Sequence, residues 1–178
     1  IGEKAKIGID CAASHFYERG NYRVDNWFLP VDRYMEFLDS LIQLYPIYSL
    51  EDPFYEEDFD SFAEFTKKFG KSLIIVGDDL FVSNLERFKI GIRKKACNAI
   101  LVKPNQIGSV TQTLELVRCA KENNYKIVVS HRSGETEDVF ISHLAVGVGA
   151  EFMKAGAPAR GERTCKYNEL IRIEEVMK

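Results

Sequence analysis

The sequence predicts an α/β fold, a parallel sheet of about six strands covered by helices. Two observations predict it. Short runs of β-branched and aliphatic residues, apolar on both faces, alternate with longer segments of helical period, which is how strands buried by crossover helices read. Each of those apolar runs also ends on an ionisable residue, so chemistry collects at one end of the strands. The 178 residues suffice for a single domain with a sizeable core.

In chain order, 6–10 reads as the first strand. Residues 15–30 are polar and irregular, with Gly20 and Asn21 as a turn signal, and are expected to make a surface excursion or small hairpin. Residues 31–45 form a helix, because Tyr34, Phe37, Leu38, Leu41, Ile42 and Tyr45 recur at three- and four-residue steps. A strand over 47–51 stops at Asp52-Pro53. A helix over 58–69 follows, closed by Gly70 as a C-terminal cap. The third strand, 73–76, runs into Gly77-Asp78-Asp79; a helix covers 84–96 and a strand 99–103. Ser109-Val110-Thr111-Gln112 has the form of a capping box and opens a helix to about residue 122. The remaining elements are a strand over 126–130, a helix over 137–146, a short strand over 151–154 and a helix over 163–177. Six strand–helix units result. A closed eight-stranded barrel needs eight and typically ~250 residues, whereas an open doubly wound sheet fits six, and periodicity leaves both open.

Composition narrows the function. With 46% hydrophobic and 29% charged residues the chain reads as a soluble globular protein. A net charge of -3 supplies no basic face for nucleic acid. No apolar run approaches the ~20 residues of a membrane span. The segment Ile1 to Lys6 lacks an apolar stretch behind its charges, so a signal peptide is not expected; with no initiator methionine, the chain is expected to be cut from a longer one. Cys11, Cys97, Cys119 and Cys165 form no Cys-x-x-Cys pair and are expected as free thiols in a reducing cytosol. Gly147-Val148-Gly149 is followed by Phe152 where a dinucleotide fingerprint needs its third glycine, which argues against NAD.

The strand ends carry, in order, Asp10, Glu51, Asp78, Lys103, His131 and Lys154. Loops are polar, so any one of these could simply mark where a strand stops. Six in succession point to a common site, which in parallel barrels lies at the C-terminal face of the strands. Asp10, Glu51 and Asp78 supply hard oxygen ligands on three consecutive strands, a set that favours Mg²⁺. Lys103, Arg132 and Lys154 then describe a pocket for a small, multiply anionic substrate. Arg132 with Ser133 suits a phosphate, to which a guanidinium offers paired donors. Lys103 is the candidate base, because neighbouring cations and a metal destabilise its ammonium form. Pro104 keeps Lys103 extended. His15 and His143 lie outside this pattern and are expected to be surface or packing residues.

At these positions the sequence resembles the enolase family. The runs Gly8 to Ser14, Leu50 to Phe54 and Val76 to Leu80 are similar to its three metal-binding segments. The run Lys103 to Ser109 resembles the segment bearing its catalytic base. Ser130-His131-Arg132-Ser133-Gly134-Glu135-Thr136-Glu137-Asp138 is similar to the family signature after the seventh barrel strand. Lys154 to Pro158, Glu162-Arg163 and Lys166-Tyr167-Asn168 resemble the eighth strand and its helix. The resemblance covers nearly the whole chain, in order.

It implies a fold: a partial (β/α)8 TIM-like barrel of about six β/α units, lacking the family's N-terminal capping domain and first barrel strands, with 1–178 a single incomplete domain. It implies a reaction: reversible, Mg²⁺-dependent dehydration of 2-phosphoglycerate to phosphoenolpyruvate in glycolysis. A lysine base beside magnesium is that family's known chemistry. By position, Asp10, Glu51 and Asp78 would bind Mg²⁺ and Lys103 would remove the C2 proton. Arg132 and Ser133 would hold the phosphate, Lys154 would meet the carboxylate, and His131 would shape the water and hydroxyl side. Lys103, His131 and Lys154 form the implied catalytic set; Glu51, Asp78, Lys103, Arg132, Ser133 and Lys154 form the substrate-binding set. Full-length family members are homo-oligomers and cytoplasmic. The glutamate that protonates the leaving hydroxyl and the loop that closes the second metal have no counterpart here. The alternative is therefore a non-catalytic fragment or binding module.

Overall fold

Strands form along the aliphatic and β-branched runs, of which those at 74–77, 99–102 and 127–130 are buried on both faces. In the computed structural model, which describes residues 2–178, they belong to two compact units, one ending at Ala99 and one running from Ile100 to Lys178. Ile1, where the segment read as lacking a signal peptide begins, lies outside the described residues.

The first unit contains β1 (Ile7–Asp10), a 3-10 turn (Ala13–Phe16), β2 (Tyr17–Glu18), β3 (Asn21–Val24), β4 (Trp27–Pro30), α1 (Val31–Leu44), β5 (Ile47–Glu51), α2 (Phe59–Phe69), β6 (Ile74–Gly77) and α3 (Leu85–Lys94). Strand β5 lies between β1 and β6 and runs parallel to both. Its register aligns Asp10 with Glu51 and Glu51 with Val76. Strands β2, β3 and β4 make a separate antiparallel sheet, where a polar excursion or hairpin is expected from the sequence. Tyr22 explains the difference. It is fully buried, its ring stacks on Tyr34 at 4.2 Å between centroids, and its hydroxyl accepts the Tyr55 amide proton at 2.9 Å. Inward aromatic rings outweigh the polar turn residues around them.

Helices α2 and α3 start on capping side chains, which satisfy amides that have no partner inside a helix, whereas α1 opens after Pro30 without one. Asp58 accepts from the Ser61 amide at 3.0 Å, and Asn84 accepts from Glu86 and Arg87 at 2.9 and 3.1 Å. Gly70 closes α2 without the left-handed conformation expected of a terminal glycine, since its φ is -63°. It is needed for space instead: a Cβ there would stand 2.6 Å from the Thr66 carbonyl oxygen. A wedge fastens β6 to α3, with the Phe81 ring filling the room left by Gly77 and Gly91. Asn98 joins the loops below by accepting the Ile75 amide proton at 2.7 Å and donating to Gly70 and Leu73 carbonyls at 3.0 and 2.9 Å.

The second unit takes up the chain within β7 (Ala99–Val102) and continues with α4 (Pro104–Ile107), α5 (Val110–Glu122), β8 (Lys126–Ser130), α6 (Phe140–Gly147), β9 (Phe152–Lys154) and α7 (Gly161–Met177). Strand β9 pairs in parallel with β8, setting Ser130 against Lys154. Ser109 caps α5 through the Gln112 amide at 3.4 Å, the first half of the expected capping box. The short α4 is not evident from periodicity; Pro104 opens it and left-handed Gly108, at φ 84°, ends it. Helix α6 starts at Phe140, three residues later than the sequence suggests, because 131–138 is held as a loop. No disulfide joins the four cysteines. Among the described residues, no helix is long and apolar enough to cross a membrane.

Candidate active site

In the first unit the strand ends gather carboxylates. Asp10 and Glu51 are direct partners across β1 and β5, and Asp78 follows two residues after Val76, the partner of Glu51 on β6. Alternation of side chains assigns the three to one face. Glu51 and Asp78 are buried; Asp10 is exposed, and its Oδ1 accepts the Ala12 amide proton at 3.1 Å.

One close group of acidic oxygens has a different membership from the expected trio. Asp52, Asp78 and Asp79 offer carboxylate oxygens within 4.8 Å of one another, while Asp10 and Glu51 stand outside that group among the described residues. Asp52 reads in the sequence only as the end of a strand within the Leu50 to Phe54 run, with no ligand role of its own. Its two oxygens accept the Asp78 amide at 2.9 Å and the Asp79 amide at 2.7 Å, which fixes the backbone on which Asp78 is carried. Burial pushes the Asp52 carboxyl up to about 8, against the pull of the Asp79 and Asp78 amides and with the Asp78 and Asp79 charges adding to the rise. Burial likewise pushes the neighbouring Cys11 thiol up to about 12, so it is an inert thiol rather than a nucleophile. A donor set made only of hard oxygens fits a divalent ion of the Mg²⁺ type.

In the second unit the strand ends carry cations. Lys103 directly follows β7 with extended φ and ψ of -117° and 99°, as expected before a proline. Lys154 ends β9, and its main-chain carbonyl accepts the His131 amide proton at 2.9 Å, so these two residues stand at neighbouring strand ends. The His131 imidazole is held below its ordinary pKa, first by burial and then by the Arg163 guanidinium, with Lys154 and Lys103 adding to the effect against Glu135. Arg132 donates to the Asn105 side-chain oxygen at 3.1 Å.

The loop 131–138 is braced from α7 by two residues to which the sequence reading gives no role. Arg163 contacts His131 Nδ1 and donates to the carbonyls of Arg132 and Ser133, both at 2.8 Å. The Lys166 side chain is buried and donates to the Thr136 and Glu162 carbonyls, with Glu135 at 3.0 Å as its counter-ion. Both lie in segments that resemble the family, but their partners in the loop stand about 30 residues earlier in the chain, beyond the reach of local spacing. His15 is exposed, and His143 pairs with Glu169 at 2.9 Å; neither joins these groups.

Residues 2–178 match the family model described as enolase, C-terminal TIM barrel domain. The chain belongs to the enolase family. It is 48% identical over 174 residues to the enolase of Neorickettsia sennetsu, covering 98% of this chain and 42% of that protein. It is 52% identical over 169 residues to the enolase of Methanosarcina mazei, covering 95% and 39% respectively. With the enolase of Elusimicrobium minutum it shares 48% identity over 170 residues, covering 96% of this chain and 40% of that one. The chain thus spans about two fifths of the length of these curated relatives. Membership bears out the α/β class and its reading as part of a TIM barrel.

Proposed function

We propose that this chain is the C-terminal, incomplete barrel domain of an enolase-type lyase that interconverts 2-phosphoglycerate and phosphoenolpyruvate in the cytoplasm. The reading is carried by one observation: the family match extends over 2–178 and so over all six strand ends. Asp10, Glu51 and Asp78 would hold Mg²⁺, which when bound supplies positive charge beside the substrate carboxylate.

The chain's own residues divide the remaining work. The Arg132 guanidinium and the Ser133 hydroxyl bind the phosphate and orient the substrate. Lys103 Nζ, uncharged at that moment, takes the proton from C2. The electron pair of the C2–H bond first moves into the substrate carboxylate and then returns as the C2–C3 double bond, while the C3 hydroxyl takes a proton from an acid supplied by the rest of the full-length protein and leaves as water. Negative charge that grows on the carboxylate during the step faces the Lys154 ammonium, an electrostatic gain larger in the transition state than in the ground state. His131 borders the leaving-hydroxyl side.

The test is an assay of the full-length protein with 2-phosphoglycerate and Mg²⁺, following the absorbance of phosphoenolpyruvate. Lys103→Ala is expected to lower turnover by about 10²- to 10⁴-fold, the usual worth of a positioned base. No product from the parent protein, or unchanged turnover in the variant, would overturn the proposal.

A further inference from the structure

We propose that Arg163 is a positioning residue for this reaction: it fixes the tautomer of His131 and holds the main chain of Arg132 and Ser133, so that histidine and phosphate-binding residues are set by one side chain. The inference rests on the functional reading above and adds a residue to it.

A guanidinium carries only N–H donors. Its contact with His131 Nδ1 therefore makes that nitrogen the acceptor, and the single proton of the neutral ring sits on Nε2. The same NH1 group also donates to the Arg132 carbonyl, and NH2 to the Ser133 carbonyl, each at 2.8 Å. Three consecutive residues of the loop are thus held by one rigid fork anchored on α7. A lysine, with one nitrogen at the end of a flexible stem, cannot span the same acceptors.

A second observation supports the arrangement independently. Gly156 adopts a left-handed φ of 88°, and a Cβ there would stand 2.9 Å from Arg163 Cδ and 3.3 Å from His131 Cε1. The chain after β9 leaves side-chain volume open where the two groups meet. Tyr167, one helical turn beyond Arg163 on α7, donates its hydroxyl to the Gly156 carbonyl and fixes that strand exit against the same helix. With Nδ1 occupied by a permanent donor, His131 presents an N–H rather than a lone pair at Nε2, suited to an oxygen of the substrate or of water.

The test uses the full-length protein labelled with ¹⁵N-histidine. In the parent, the His131 resonances should show Nδ1 bare and Nε2 protonated near neutral pH. Arg163→Met should release this preference and lower kcat/KM for 2-phosphoglycerate by about 10²-fold, mostly through KM, as expected when a binding group is mispositioned. Arg163→Lys should recover only part of either effect. A parent spectrum with Nδ1 protonated overturns the proposal, as does an Arg163→Met protein with unchanged His131 signals and KM. If Arg163→Met fails to fold, the parent spectrum and Arg163→Lys decide. If the parent makes no phosphoenolpyruvate, the lyase reading fails, while the nitrogen spectra still judge the hold of Arg163 on His131.

Discussion

Lys166 and Glu135 form an ion pair at 3.0 Å in which the lysine side chain is 1% exposed and the glutamate 15%. The ammonium also reaches the carbonyls of Thr136 and Glu162, so a charge that would be costly to bury alone is surrounded by acceptors. The pair joins the loop after β8 to α7.

Lys166→Met keeps much of the side-chain volume but leaves the carboxylate and two carbonyls without their cation. It should destabilise the protein by about 3–5 kcal/mol, the usual cost of breaking a buried pair from one side. Urea unfolding of the full-length protein measures this. A loss below about 1 kcal/mol, the range of surface pairs, would show that the lysine contributes packing alone.

The same pair sets an acid dependence. Burial alone would raise the Glu135 carboxyl, but the Lys166 ammonium and the amides of Arg132 and Thr136 outweigh it, so the group sits below its ordinary range. Folded Glu135 therefore binds fewer protons than the unfolded chain around pH 4. Its contribution to stability is complete above the unfolded pKa of about 4.3 and is lost as pH falls through the lower folded value. The melting temperature should drop on acidification below about pH 4.3, and Glu135→Gln should flatten that part of the curve. An identical slope in both proteins would assign the acid sensitivity to other carboxylates.

Asp52→Ala would strand two amides, those of Asp78 and Asp79, that now donate to one carboxylate. The expected loss is about 2–6 kcal/mol, from about 1–3 kcal/mol for each of the two amides left unmet. Hydrogen exchange at those two amides should speed up with the loss of stability. Unchanged exchange at both would refute the bracing role.

Much of this architecture is legible in the sequence because it is periodic or local. The apolar face of α1 repeats at helical spacing, and Asn84 and Ser109 stand directly before the helices they cap. The strand ends at Asp10, Glu51, Asp78, Lys103 and Lys154 follow apolar runs that need no tertiary knowledge to find. What stays hidden is whatever depends on partners far along the chain. Asp52 looks like the polar residue of an ordinary turn until residues 26 and 27 positions onward donate to it. Arg163 and Lys166 read as charges on a helix, and only the packed loop turns them into braces. Gly70 reads as a stop signal, yet its absent side chain matters because the Thr66 carbonyl approaches so closely. The hairpin expected within 15–30 is present as the β2–β4 sheet, but its inward tie stays hidden for a related reason: the packing of Tyr22 on Tyr34 and Tyr55 depends on partners farther along the chain.

That tie determines what a protease could do to the first unit. The turn at Arg19 and Gly20 is exposed and left-handed at both residues, a natural place for cleavage. A cut there would leave β1 attached through its ladder with β5, and the following residues attached through the rings and hydroxyl around Tyr22. The severed chain would travel as one particle on a sizing column and separate into two bands only once denatured.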